Sequence, residues 1–125
     1  MGIGKLSSFE AKPQVINELQ GSIVKKIVCG DNYTAVISGN EKLLVCGNME
    51  KGKLGLGSAF YTGVKLSLEE VELRHPVKDV ACGPFHMVIT CKTNEKKAVN
   101  KLFACGANKK GQLGVGTTKD SFKPK

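Results

Sequence analysis

Cys105-Gly106-Ala107-Asn108-Lys109-Lys110-Gly111-Gln112-Leu113-Gly114-Val115-Gly116 decides the fold, because an earlier copy of it stands upstream as Cys46-Gly47-Asn48-Met49-Glu50-Lys51-Gly52-Lys53-Leu54-Gly55-Leu56-Gly57. In each copy an apolar run ends in Cys-Gly, crosses polar residues and arrives at Gly-x-Leu-Gly-x-Gly. Gly47, Gly52, Gly55 and Gly57, with Gly106, Gly111, Gly114 and Gly116, supply backbone that takes positive φ at no steric cost, as a strand-to-loop-to-strand path requires. Leu54 and Leu113 are each expected to turn inward and pin their loop to a core. A tight structural loop that occurs twice makes this a repeat protein.

Working outward, the strands on either side repeat as well. Ile23 to Cys29 is expected to be a strand stopped by Gly30, with Asp31-Asn32 as a turn, Tyr33 to Ser38 as a second strand and Lys42 to Cys46 as a third. Val77 to Gly83, Phe85 to Thr90 and Lys101 to Cys105 follow the same plan. Val24 matches Val77, Cys29 matches Cys82 and Gly30 matches Gly83, at an offset of 53. Beyond Lys92 to Asn100 the offset becomes 59, linking Cys46 to Cys105 and Leu54 to Leu113. The six extra residues fall at a hairpin tip, where insertions do least damage. Units of about 50 residues with several short strands each are the pattern of propeller blades. The expected fold is therefore all-β, two consecutive four-stranded antiparallel blades of a β-propeller that is partial and not closed. The unit boundaries are 1–22 (the end of a blade), 23–64, 65–118 and 119–125 (the start of the next). Met1-Gly2-Ile3-Gly4 has the form of the last turn of a preceding Leu-Gly-x-Gly loop. A myristoylation signal would want Ser or Thr at position 6, where Leu6 stands.

The composition suits short strands and turns: 15 glycines, 6% aromatic residues and no tryptophan. No apolar run approaches the ~18 residues of a membrane span. The formal charge of +8 is uneven, with seven basic and five acidic residues in 1–62 against twelve and six in 63–125. Such a bias suits nucleic acid or an acidic protein surface, but lysines scattered singly without interleaved aromatics suit a solubilising surface better. Five cysteines, an odd number with no signal peptide, point to a reducing, intracellular setting, cytoplasmic or nuclear. With no Cys-x-x-Cys pair and no finger-spaced histidines, no metal site is expected. Cys29, Cys46, Cys82 and Cys105 occupy matching slots before glycine and are expected to be small buried apolar residues at strand ends.

Apparent chemistry dissolves on inspection. Gly47 to Leu54 nearly spells the phosphate-binding G-x-x-x-x-G-K-[ST] loop, but Leu54 cannot ligate magnesium, and Gly55 and Gly57 oppose the helix that would hold a phosphate. Gln112 stands where the first copy has Lys53, so the loop is not expected to be built around that lysine. His86 has no sequence-local nucleophile or carboxylate to work with, and its counterpart is Tyr33. A polar tip hydrogen-bonded at the start of a strand fits both residues better than a general base. No catalytic residue and no cofactor are expected.

Val77-x-x-Val80-Ala81-Cys82-Gly83-x-x-His86, together with the stretch at 105–116, closely resembles the repeats of the regulator of chromosome condensation. The resemblance covers nearly the whole chain: the tail of one repeat, two complete units and the beginning of another at Phe122-Lys123-Pro124. It implies a seven-bladed propeller with four antiparallel strands per blade. In the founding member one face catalyses guanine-nucleotide exchange on the Ran GTPase and the other meets chromatin. Carried over by position, the partner-contacting turns are Asp31, Asn32 and Tyr33 in the first unit and Pro84, Phe85 and His86 in the second. Asn108 retains an asparagine usual in the family loop, and Met49 departs from it. Tyr33 departs from the family histidine that His86 keeps. Two stacked repeats fall below the three or so needed for independent stability, so the chain is expected to be part of a larger propeller. Its expected function is a protein-interaction module without chemistry of its own. The alternatives are an exchange factor for a Ran-like small GTPase when the ring is intact, or a blade set joined to a separate enzymatic domain.

Overall fold

The computed structural model describes residues 2–4, 9–57, 63–93 and 99–125. Leu6 and the tip of the lysine-rich insertion at 94–98 lie outside the described residues. Among the described residues, period-2 alternation of β-branched and polar side chains, interrupted by Gly and Asn turns, produces seven strands: β1 (Val24–Gly30), β2 (Tyr33–Ser38), β3 (Leu43–Asn48), β4 (Val64–Glu70), β5 (Val77–Cys82), β6 (His86–Lys92) and β7 (Asn100–Gly106). Short 3-10 turns occupy Asn17–Leu19 and Glu50–Gly52. All pairing is antiparallel, in the orders β1-β2-β3-β4 and β5-β6-β7.

The repeat extends to the irregularities. β1 slips register between Val24 and Lys26, and β5 slips between the equivalent Val77 and Asp79. The second sheet has three strands where four were expected. Its fourth position is nevertheless filled: Ser121 bridges Gly106, and Ala104 and Lys125 exchange both backbone hydrogen bonds at 2.9 and 3.0 Å. In the first sheet Lys65 and Glu69 pair with Gly47 and Val45, so residues 121–125 take the part of β4 without enough ladder to form a named strand. The division between sheets also differs from the repeat boundary at 64/65. β4 closes the first sheet by pairing Leu44 with Glu70 and Asn48 with Val64, so the passage between sheets falls at 71–76.

The two sheets bury one face against each other. Tyr33, Ala35, Ile37, Leu43 and Val45 of the first meet Val77, Val80, Met87, Ile89, Cys91 and Cys105 of the second. Leu54 and Leu113 are both buried, and burial of one such side chain contributes about 2 kcal/mol. The loop carrying Leu54 crosses from the first sheet to the second. There Gly55 rides over the Cys105 sulfur and the Gly57 amide donates to the Phe122 carbonyl at 2.8 Å. The N-terminal residues repeat that clamp on the first sheet: Gly2 lies over the Cys46 sulfur and the Gly4 amide donates to Leu66 at 2.9 Å. Gly2 and Gly4, like Gly55 and Gly57, have φ between 68 and 74°.

The cysteines divide by position. Cys46, Cys91 and Cys105 are buried, but Cys82 is half-buried and Cys29 is exposed, contrary to the expectation of uniformly buried thiols. Cys29 lies on β1, the edge strand whose outer side meets no second sheet, and Ile23 and Ile27 are exposed beside it at 74 and 59%. Burial raises the thiol pKa of Cys46, Cys82 and Cys91, and pushes Cys105 up to about 12.

Gly47 and Gly106 share φ of 110°, and a Cβ on either meets the carbonyl of the residue opposite, Asn32 or Phe85. Gly116, at φ 73°, has nothing within 4 Å of its Cβ position. Gly116→Ala is therefore expected to lose only the left-handed-backbone cost of about 1 kcal/mol, and Gly106→Ala to lose at least about 3 kcal/mol. Urea unfolding of both variants checks the order; equal losses would contradict this account of the Cys-Gly step.

Candidate functional site

The ends of β1, β3, β5 and β7 lie at one end of the two sheets, and the turns that leave them form a cluster. Asp31-Asn32 links β1 to β2, and Asn32 holds φ of 60°, a conformation asparagine tolerates better than most residues. Its carbonyl accepts the Asn48 amide at 2.8 Å. Phe85, in the matching β5–β6 turn, accepts the Ala107 amide at 2.7 Å. Each turn is thus tied down by the strand beside it, and its side chains stand on fixed backbone.

Of the six partner-contacting positions carried over from the sequence, Asp31, Asn32 and Pro84 are exposed, and Phe85 and His86 are half-buried. Tyr33 is different. It is 3% exposed, so its side chain is no contact surface. Its ring fills the space where Gly30 lacks a Cβ, as the His86 ring does over Gly83. The Tyr33 hydroxyl oxygen lies 2.9 Å from the Gly83 carbonyl and 2.8 Å from that of His86, so its single proton is shared between two acceptors of the neighbouring sheet. Burial, reinforced by the adjacent Cys82 thiol, raises its pKa far above the ordinary phenol value. Tyr33 locks one turn to the other.

No local pattern in the sequence signals the enclosure of Lys53. It is 1% exposed, and its ammonium donates to the Asp31 carbonyl at 2.9 Å. The same nitrogen lies 5.1 Å from the centre of the Phe85 ring and 5.5 Å from that of Tyr33, within reach of both π faces. Lys51, at φ 58°, places its own ammonium 4.2 Å from the Phe85 ring. Two cations therefore share one aromatic ring, with the Asp31 and Glu50 carboxylates nearby. Desolvation lowers the Lys53 pKa, and the charges of Asp31 and Glu50 partly oppose it. A lysine following Gly52 in a loop normally projects into water; the first copy folds it inward because the second sheet roofs it.

The second loop reaches the same rigidity by another route. Asn108 is fully buried; its amide nitrogen donates to Thr117 and Lys119 carbonyls at 2.8 and 3.0 Å, and its oxygen accepts the Leu113 amide at 3.0 Å. Its backbone amide donates to the Asp120 carboxylate at 2.8 Å. Lys109 and Lys110, next along, are exposed. Among the described residues no group of three or more His, Cys, Asp or Glu is placed to hold a metal. The arrangement offers exposed side chains of both signs on a stapled frame, which equips it for recognition.

Residues 100–125 match the family model described as the regulator of chromosome condensation (RCC1) repeat. The chain is 36% identical over 92 residues to the X-linked retinitis pigmentosa GTPase regulator of Canis lupus familiaris, a match covering 74% of this chain and 8% of that protein. It is 29% identical to the secretion-regulating guanine nucleotide exchange factor of Bos taurus, covering 92% of this chain and 23% of the relative. It thus spans less than a quarter of either relative's length. Among solved structures it resembles Prp20p of Saccharomyces cerevisiae, with a TM-score of 0.69 at 17% identity over 82% of this chain and 25% of Prp20p.

The enclosure of Lys53 has a pH signature. Its folded pKa is depressed, so its charged form costs stability below that value. The cost is relieved as pH rises between the folded pKa and 10.5, its ordinary value. Lys53→Met keeps the buried stem and removes the titration. The stability of the native chain relative to this variant is therefore expected to rise across that window, as measured by urea unfolding at a series of pH values. A difference flat in pH would contradict the enclosure.

Proposed function

This chain belongs to the RCC1 repeat family, and we propose that it is a protein-interaction module whose contact surface is the turn cluster around Asp31, Asn32, Pro84 and Phe85. The observation that carries the reading is the locking of two matched turns from successive sheets. Tyr33 and Lys53 tie them together from below, while Asp31, Asn32 and Pro84 stay exposed above. Binding surfaces gain affinity when their loops are ordered before the partner arrives. Phe85 supplies an aromatic anchor at the centre, with Lys51 and Glu50 beside it, a combination suited to a protein partner that presents both apolar and charged groups.

A second reading, guanine-nucleotide exchange on a small GTPase by the intact ring, is favoured by the names of the relatives. One is a secretion-regulating guanine nucleotide exchange factor, another a GTPase regulator, and the Prp20p structure is described together with binding to Gsp1p and histones. In that reading the same turns would press on the nucleotide-binding region of the GTPase and loosen its hold. Nothing in the turns supplies covalent chemistry, so exchange would work through differential binding of nucleotide-free GTPase.

The first reading is tested on one pair of proteins, the native chain and a Pro84→Asp variant. A protein partner bound by the native chain is expected to lose at least about tenfold in affinity with the variant, with unchanged thermal stability. Retained affinity would move the contact off these turns. For exchange, the full-length protein is mixed with Ran carrying fluorescent GDP, and release no faster than the intrinsic rate would eliminate the second reading.

A further inference from the structure

Lys51 and Lys53 bring two ammonium groups to one ring, lying 4.2 and 5.1 Å from the centre of Phe85. An ammonium carries three N–H donors and no acceptor. Among the described residues Lys53 has one oxygen within hydrogen-bond distance, the Asp31 carbonyl at 2.9 Å, and beyond it the faces of Phe85 and Tyr33. Lys51 has the Glu50 carboxylate at 3.9 Å, too far for a hydrogen bond. Asp31 gives Lys53 its backbone only; its exposed carboxylate acts on that ammonium as a charge at a distance.

The two signs of charge are not placed alike. Asp31 is exposed and the Glu50 side chain is 45% exposed, so water already solvates both carboxylates. Lys53 is 1% exposed, and its charge has lost that solvation. Desolvation lowers its pKa and the Lys51 charge adds to the shift, so Asp31 and Glu50 do not make up for burial. A charge interacts more strongly with a desolvated group than with a solvated one, the effective dielectric being about 80 in water and about 20 near a protein. An arriving anion therefore gains more at Phe85 than an arriving cation gains from Asp31 or Glu50. The ring adds to the bias, because its electron-rich face is already engaged by ammonium groups and has little left for a third.

We propose that this surface reads a carboxylate, an Asp or Glu side chain of a protein segment, seated on the Lys51 ammonium beside the Phe85 ring, with an apolar neighbour from the same segment against Phe85 and Pro84. The proposal rests on the turn cluster being the contact surface and adds the sign of the group that surface selects. Lys51 is the cation that reaches the partner: its side chain is 39% exposed, whereas Lys53 stays beneath the ring. The loop that presents it is fixed on both sides. The Glu50 amide donates to the Asn48 side-chain oxygen at 2.8 Å, and the Gly52 amide donates to the Met49 carbonyl at 3.1 Å. The incoming carboxylate replaces the loose Glu50 contact with direct hydrogen bonds to Lys51, and its charge acts through the ring on Lys53. Both lysines come from the loop after β3 and Phe85 from the β5–β6 turn, so the site lies between the two sheets.

The probe is a random heptapeptide library displayed on phage and selected on the immobilised native chain, with the Pro84→Asp chain as the comparison. Peptides held by the native chain and lost by Pro84→Asp are expected to carry Asp or Glu next to a large apolar residue. One such peptide, synthesised and titrated calorimetrically, is expected to lose at least about tenfold in affinity when its acid is changed to the amide, and as much with Lys51→Gln. Lys78→Gln removes an equal charge from the far end of β5 and is expected to bind like the native chain. Both lysines are exposed or half-exposed, so both variants are expected to keep the native melting curve, as circular dichroism checks. Peptides indifferent to Pro84→Asp put the contact elsewhere and overturn the surface reading together with this one. Peptides that need Pro84 but are basic or uncharged, or that ignore Lys51→Gln, leave the surface in place and overturn the carboxylate. A selection that yields no binder overturns both.

Discussion

An antiparallel sheet of three or four short strands has two faces and can leave only one to water. In this chain that constraint is met chiefly where Tyr33, Ala35, Ile37, Leu43 and Val45 pack against the Val77, Val80, Met87 and Ile89 side. The loops take their shapes from it. Leu54 is drawn under the second sheet, Gly55 has to pass over the Cys105 sulfur without a side chain, and the Tyr33 hydroxyl, carried into the contact with its ring, must find acceptors there. The turn cluster at one end of the molecule is a consequence of packing before it is anything else. In the proposed reading, recognition is built on turns that the core has already immobilised.

The two copies solve one problem differently. A glycine-rich loop leaves backbone groups that must be paired where water is excluded. In the second copy one buried amide, Asn108, pairs with several of them at no electrostatic cost. In the first, Met49 occupies that position, and Lys53 is folded inward to the Asp31 carbonyl and the faces of Phe85 and Tyr33. A buried ammonium is the costlier device, and its depressed pKa expresses the cost. What the first copy gains is a tie between sheets, because Asp31 and Tyr33 belong to one and Phe85 to the other. Asn108 ties its loop only to itself and its own outer segment.

Strands, turns and the inward leucines were legible in the sequence because each is decided within a few residues, by alternation, by Asp-Asn or Gly punctuation, by a leucine flanked with glycines. What escaped depends on which segment lies beside which. Residues 64–70 contain Leu66 and Leu68 and read equally well as the start of the second unit; only their hydrogen bonds to β3 assign them to the first sheet. Cys29 and Cys82 have the same local pattern as Cys46 and Cys105, yet their exposure follows from whether a neighbouring sheet covers the strand. Lys53 was the hardest case. A lysine among glycines signals solvent, and its enclosure needs the Phe85 ring of another sheet overhead. The replacement of Lys53 by Gln112 in the second copy was visible, but it pointed away from a role for the lysine instead of toward one confined to a single loop.

The basic excess, which in the sequence suits a solubilising surface better than a site for a polyanion, is dispersed by the fold. Lys25 and Lys92 converge on Glu41 and hold its carboxyl below the ordinary range; Lys42 pairs with Glu70, Lys65 with Glu69, Lys26 with Asp79 and Lys123 with Glu72. Among the described residues these pairs lie on different strands and turns, so they form no stripe along which a phosphate backbone would run. At the turn cluster Lys51 stands with Asp31 and Glu50 around Lys53, and the Lys51 charge is spent partly on the Phe85 ring. A polyanion is attracted by one sign held over a distance, whereas a protein surface is matched by alternating signs around an apolar centre. Phe85 provides that centre in the proposed reading, with Lys51 and Glu50 beside it.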